Sequence, residues 1–249
     1  MASSNQSAPQ DSVTGSAGVL TSKPDISAGH PITKAFLPHQ RVTTEGKGMG
    51  TRHLTCVVKD GDYKVAQYGQ WDGYPSGQGM DILTFLREKL NLDVFLTNLS
   101  QAFQPTEEQI KAWWLEVGHD MESSGGFVDH AIAKKFSKNH PSLSRDTGGE
   151  ILSLIQSSGE PLPVLVYKEF AADSLFCEWA YVVDFDKNTF EIFEGFNHAP
   201  LAENERFYGL KCDNANKDYH PVRHRKTYSL DSLPTNEEFL AELETQEEE

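Results

Sequence analysis

The sequence predicts an α+β fold, in which an antiparallel sheet built from two hairpins has helices packed on it. Two pairs of β-prone segments, each pair joined by a short turn, flank a long stretch of helix-type patterns. The order is hairpin, several helices, hairpin and short helix, which differs from the strand–helix alternation of a parallel βαβ fold. We therefore expect a single α+β globular domain over residues 48–244.

The first hairpin is predicted from two β-prone runs at residues 53–58 and 63–68. They flank the turn segment 59–62, which contains Asp60-Gly61. Aspartate followed by glycine favours the tight turns that join antiparallel strands, because both residues tolerate positive φ angles.

A loop is predicted directly after the first hairpin. Residues 69–79 contain four glycines and one proline in eleven positions, which disfavours the interior of a helix or a strand. A helix is expected over residues 80–90, where Ile82, Leu83, Leu86 and Leu90 recur on one face.

The later elements follow from capping and periodicity. Capping boxes at residues 106–109, 147–150 and 235–238 predict helices that run to about Val117, Gln156 and Leu243. A further helix is expected over residues 127–137. Residues 162–167 resemble a buried strand, and the runs 176–184 and 189–193 predict the second hairpin.

The two ends of the chain differ in composition from its centre. Residues 1–47 are rich in serine and show no sustained periodicity, which predicts a disordered leader. Residues 245–249 read as an acidic tail.

Charge and composition exclude several function classes. The formal net charge is −15, from 22 Lys and Arg against 37 Asp and Glu, and such a chain repels nucleic acid and anionic membranes alike. We expect neither as a partner, and a protein partner stays undefined. The sequence contains no apolar run long enough to span a membrane and no secretory signal, so we expect a cytoplasmic protein.

The loop at residues 69–79 is the main candidate for a small-molecule site. Trp71 and Tyr74 offer flat apolar walls, Asp72 offers an acceptor or base, and the glycines allow backbone to approach a ligand. Arg145 is a candidate anion clamp beside Asp72. The alternatives are that Trp71 and Tyr74 fill the core, and that Arg145 pairs with Asp146 at a helix start.

Three segments resemble a widespread group of uncharacterised bacterial, phage and fungal proteins. The resemblance covers most of residues 49–244, and many chains of that group begin at the methionine that corresponds to Met49. It supports the domain start and implies no mechanism. The segments are Met49-Gly50-Thr51-Arg52-His53-Leu54, residues 64–79 with the motif Gln70-Trp71-Asp72-Gly73-Tyr74-Pro75-Ser76-Gly77-Gln78-Gly79, and Glu178-Trp179-Ala180-Tyr181-Val182-Val183-Asp184.

The hairpin is also similar in architecture to N-terminal-nucleophile amidohydrolases of the bile-salt-hydrolase type. That similarity implies a nucleophile at the start of the first strand and an aspartate after the second, which would be Asp72. Position 50 is glycine where that family has cysteine, so Thr51 is the candidate nucleophile. A free α-amine must stand beside it as base, which requires cleavage before Thr51. Arg52 would then help to orient the substrate.

Two classes of function therefore remain open. The first is an amidohydrolase-like enzyme acting on a small molecule, and the second is a non-catalytic module that binds a small molecule or a protein. An accessory role in a biosynthetic pathway is a third possibility. No cofactor motif or metal-ligand spacing is evident, and His53 is interpreted as a partly exposed residue at a strand end.

Overall fold

The fold is seen in a computed structural model, which describes Met1 and residues 50–124, 128–213 and 215–244. Five strands form one open sheet in the order β2-β1-β3-β4-β5. The leader predicted at residues 1–47, apart from Met1, and the tail predicted at 245–249 lie outside the described residues. The strands are β1 (His53–Lys59), β2 (Asp62–Gly69), β3 (Trp179–Asp184), β4 (Thr189–Glu194) and β5 (Arg223–Ser229).

The predicted α+β class with a largely antiparallel sheet is confirmed. Strands β1 and β2 form the first hairpin, and β3 and β4 form the second. The two hairpins join through a parallel pairing of β1 with β3, which places these two strands in the interior of the sheet. Strand β5 adds antiparallel to β4 at one edge and was not predicted. Its sequence is dominated by charged side chains, which are typical of exposed edge strands.

Six α-helices lie among the described residues. Each of the predicted helices is found with shifted bounds, whereas the helix that follows Asn91 was not predicted. Asn91 caps that helix by accepting a hydrogen bond from the amide of Val94 at 3.2 Å. The helices are α1 (Met80–Thr84), α2 (Leu92–Gln101), α3 (Glu107–Glu116), α4 (His130–Asn139), α5 (Ile151–Ser157) and α6 (Asn236–Glu244).

Three local expectations were wrong. The loop at residues 69–79 already turns helical at Pro75–Gly79, which forms a π-helical turn; proline is tolerated there because the first amides of a helix need no partner. Thr147 caps no helix, since its hydroxyl donates to the carbonyl of Pro141 at 2.5 Å. Residues 162–167 form only isolated bridges, one between Ala66 and Val166 and one between Phe103 and Pro163.

The sheet separates two hydrophobic cores. Helices α1, α2, α5 and α6 pack on one face, which we call the helix side, against strand residues such as Val57 and Tyr181. The opposite face, the loop side, is covered by irregular segments that contribute residues such as Phe170 and Phe207. No described helix is long and apolar enough to cross a membrane.

The strand directions create one end of the sheet where loops gather. Strands β1, β3 and β5 begin there, and β2 and β4 end there. We call this the loop end. It holds the segment 70–79 after β2, the segment that precedes β3 and the long connection between β4 and β5, so the residues predicted to bind or react meet at this end.

Candidate functional site

The aromatic side chains of the loop after β2 are exposed. Trp71 is 46% exposed and Tyr74 is 50% exposed, so the alternative in which they fill the core is wrong. The indole nitrogen of Trp71 donates to Oδ1 of Asp146 at 3.0 Å, which fixes the ring at the surface. Asp146 thus binds Trp71, and the structure gives it no ion pair with Arg145 among the described residues.

The predicted nucleophile lies just beneath this loop. Thr51 is only 3% exposed, and its carbonyl accepts a hydrogen bond from the amide of Gly73 at 3.0 Å. The ring of Trp71 covers Gly50 so closely that a Cβ there would lie 2.2 Å from Cε3 of the indole. The Gly50–Thr51 peptide bond is therefore under the Trp71 ring.

Asp72 has a strained backbone that the loop holds in place. Its φ angle is +54°, which is uncommon for a residue other than glycine. Its carbonyl accepts from the amide of Gln78 at 2.8 Å, and a Cβ on Gly77 would lie 2.3 Å from that carbonyl oxygen. The carboxylate is exposed and makes no hydrogen bond or ion pair with a described residue. It is therefore free to act on a ligand.

A second strained residue lies at the same end of the sheet. Four described non-glycine residues have positive φ, and two of them, Asp60 and Asn188, belong to hairpin turns. The others are Asp72 and Phe196, both at the loop end. The amide of Phe196 donates to the backbone carbonyl of Ser174 at 2.8 Å. This bond holds the exposed Phe196 in a backbone conformation that is unfavourable for a bulky residue. Strain of this kind concentrates at functional sites.

Arg52 and Arg145 both lie at the loop end, next to the start of β1 and the end of β2. Burial raises the pKa of Tyr68, and the positive charges of Arg52 and Arg145 partly offset this rise because they stabilise the phenolate. Both residues are thus within electrostatic range of the Tyr68 hydroxyl, which donates to the side-chain carbonyl of Gln70 at 3.2 Å. The amide of Gln70 in turn donates to the carbonyl of Arg145 at 2.9 Å.

Neither arginine is neutralised by an ion pair within the described part of the chain. The guanidinium of Arg52 lies 5.0 Å from the ring centroid of Phe176, a cation–π distance. Glu178 accepts from the backbone amide of Arg52 at 3.2 Å, and partial burial raises the pKa of its carboxyl, although the Arg52 amide and the Arg52 charge oppose that rise. Two cationic groups without ion pairs to described residues therefore lie at the loop end of a strongly acidic chain.

His53 lies on the helix side, below the same loop, and its prediction as a partly exposed residue is wrong. The side chain is 1% exposed, and burial lowers the pKa of the imidazole to about 3, although the backbone of Thr51 opposes that shift. A Cβ on Gly69 would lie 2.0 Å from Cε1 of the ring, so only glycine fits opposite it. The imidazole is neutral at physiological pH.

The other candidate residues are inert or lie on the far edge strand of the sheet. Cys56 and Cys177 are buried, and burial raises the pKa of both thiols, so neither is a thiolate nucleophile at neutral pH. His224 lies on the exposed edge strand β5, where its Nε2 contacts the Thr227 hydroxyl at 2.7 Å. Among the described residues, no group of three His, Cys, Asp or Glu side chains is placed to hold a metal ion.

The structure thus gathers Trp71, Asp72, Tyr74, Arg52 and Arg145 at the loop end, with Thr51 buried beneath them. Sequence reasoning missed Tyr68 and Gln70, which connect the two arginines, and misjudged His53. Comparison with family models, curated proteins and solved structures finds no match to this chain.

Proposed function

We propose that the loop end binds a small molecule that combines a flat apolar part with an anionic group. The observation that carries this proposal is that Arg52 and Arg145, which make no ion pair with described residues, lie at the loop end beside the exposed ring of Trp71. The Arg145 carbonyl accepts from the Gln70 amide, and its neighbour Asp146 binds the Trp71 indole. Guanidinium groups bind carboxylates and phosphates with charge-assisted hydrogen bonds. An indole or phenol ring stacks on a planar ligand.

The rigidity of the loop supports binding by a preformed surface. Trp71 is held by Asp146, and the Asp72 backbone is held by Gln78. Side chains that are fixed before binding lose little conformational entropy when the ligand arrives. Asp72 would then contact a donor group on the ligand.

This proposal is tested with 1-naphthoate as the probe and 1-naphthamide as its uncharged counterpart. We expect naphthoate to bind more tightly and to shift the indole N–H resonance of Trp71 in an NMR titration. Arg52→Gln should weaken naphthoate binding by about tenfold, the effect of losing one charge-assisted contact. Naphthamide affinity should change little.

The matched control is Arg87→Gln, because the Arg87 guanidinium donates to Asn236 at 3.0 Å and lies outside the loop end. Naphthoate should bind this variant as it binds the unmodified protein. Equal affinity for naphthoate and naphthamide, or an equal loss in both arginine variants, would contradict an anion site at Arg52 and Arg145.

A second candidate function is N-terminal-nucleophile amide hydrolysis at Thr51. Two observations favour it: the Gly50–Thr51 bond lies under Trp71, and the Thr51 carbonyl accepts a hydrogen bond from the amide of Gly73, next to Asp72. Hydrolysis of that bond consumes one water and leaves a carboxyl group on Gly50 and a free amine on Thr51. The amine would then serve as the base for its own hydroxyl.

Intact-mass spectrometry of the purified full chain tests this second candidate. If Thr51 is a self-processed nucleophile, we expect a species that begins at Thr51, and Thr51→Ala should abolish it. Ser76→Ala, which removes an exposed hydroxyl from the same loop, should leave processing unchanged. A chain that stays uncut and still binds naphthoate at the loop end would reject the hydrolase and keep the binding function.

A further inference from the structure

Four buried residues carry side-chain polar atoms that have no partner at hydrogen-bond distance among the described residues. These atoms are both ring nitrogens of His53, which has only a weak interaction with the Thr51 backbone, the hydroxyls of Thr55 and Ser142, and the side-chain carbonyl of Gln67. All four residues are at most 1% exposed. Native proteins rarely leave such groups unpaired, because each one costs free energy comparable to a lost hydrogen bond.

The sheet register brings three of these residues together. Thr55 and Gln67 are direct cross-strand partners between β1 and β2, and His53 lies two residues before Thr55 on the same face. The side-chain amide of Gln67 donates to the carbonyl of Ser144 at 2.9 Å, which holds the neighbouring segment beside Gln67. We call His53, Thr55 and Gln67 the inner polar cluster.

Glycines let backbone reach the cluster closely. A Cβ on Gly148 would lie 2.8 Å from Nε2 of His53 and 2.4 Å from Oε1 of Gln78, so both polar atoms face the same point of the backbone. A Cβ on Gly73 would lie 2.9 Å from Cβ of His53. The segment 70–79 is thus two-sided, with Trp71 and Tyr74 outward and Gly73 and Gln78 inward.

We propose that the inner polar cluster is an internal binding site for a small uncharged molecule that both donates and accepts hydrogen bonds. None of its three side chains is ionised at neutral pH, and a buried ion without a counter-charge would cost far more than a neutral guest. Hydroxyl groups donate and accept, while the Gln67 carbonyl accepts only. Water and a primary amide share the complementary chemistry.

Gln78 links this cluster to the segment 70–79. Its side chain is half-buried, and its Oε1 accepts from the amide of Gly149 at 2.6 Å, next to the approach of Gly148 to the His53 ring.

NMR on the full chain with ¹⁵N-labelled histidine tests the site. We expect either a cross-peak between a His53 ring proton and a long-lived water, or a saturable shift of the His53 ring signals on titration with acetamide. The first result identifies water as the occupant, and the second identifies an amide. Acetate has the same shape as acetamide and carries a charge, so it should cause no such shift. Absence of both signals, or equal shifts with acetate, would overturn the proposal.

Thr55→Val provides a mild variant, because it removes the unpartnered hydroxyl and nearly preserves the shape of the side chain. If the cluster holds a guest, this variant should weaken the acetamide response by about tenfold or remove the water cross-peak. Thr227→Val on the exposed edge strand β5 is the matched control and should change neither signal. A Thr55→Val protein that is more stable than the parent and keeps the parent's His53 signals would show that nothing binds there.

Discussion

Arg206→Met should lower the free energy of unfolding by about 3–5 kcal/mol, the usual cost of removing one member of a buried ion pair. Arg206 Nε donates to Glu191 at 2.6 Å, and its Nη2 donates to Asp184 at 2.5 Å. Both carboxylates are nearly inaccessible, so without the guanidinium they would be left charged and buried. Urea unfolding at pH 7, followed by circular dichroism, measures the effect.

Two further variants separate charge from packing. Lys111→Met breaks exposed ion pairs to Glu107 and Glu122 and should cost no more than about 1 kcal/mol. Adding Glu191→Met to Arg206→Met should recover part of the loss, because Asp184 still accepts from two backbone amides. If Arg206→Met alone were as stable as the parent, the ion pairs of Arg206 with Asp184 and Glu191 would not anchor the connection between β4 and β5.

Local patterns predicted the elements whose signals lie within a few residues of each other. The capping box of Thr106 with Gln109 is present with both of its hydrogen bonds, and Thr235 with Glu238 forms the same arrangement. The Asp60-Gly61 turn joins β1 to β2 with positive φ at both residues. Each of these features depends on residues that are close in sequence, so propensity alone was sufficient.

The position of His53 shows why the inner polar cluster could not be predicted from the sequence. Counting back from the Lys59–Asp62 pair in a regular hairpin sets His53 opposite Tyr68, but the register shifts between Val57 and Val58. That irregularity sets His53 opposite Gly69, where the ring fits. The sequence shows neither this shift nor the approach of Gly148, which lies 95 residues after His53 in the chain.

The surface loop at residues 69–79 was easier to predict from the sequence. Glycine and proline near two aromatics and an acid predicted a loop that presents Trp71, Asp72 and Tyr74, and these side chains are exposed. The relation of Arg52 to Arg145 was not predictable, because it depends on the Tyr68 and Gln70 contacts across three segments. Residue types therefore indicated the loop, whereas tertiary contacts were needed to bring the two arginines together.

Acidification should destabilise the protein through His53 by up to about 4–5 kcal/mol, which we obtain from its pKa shift at about 1.4 kcal/mol per unit. The folded-state pKa is lowered by burial to about 3, from 6.5 in an unfolded chain. Between these values the unfolded state binds a proton that the folded state excludes. The stabilising contribution is therefore complete above pH 6.5 and is lost as the pH falls toward 3.

Urea unfolding measured at several pH values between 7 and 4 tests this expectation by comparison with His53→Asn. The variant has no imidazole, so its stability should fall less steeply with decreasing pH, even if it is less stable at pH 7. Carboxylates such as Asp186, whose pKa is lowered mainly by the Gly61 amide and by Lys59, contribute equally to both proteins and cancel in the comparison. Parallel pH profiles would mean that the His53 ring accepts a proton while it is folded, which would require an acidic or accepting partner and would contradict its neutral, buried state.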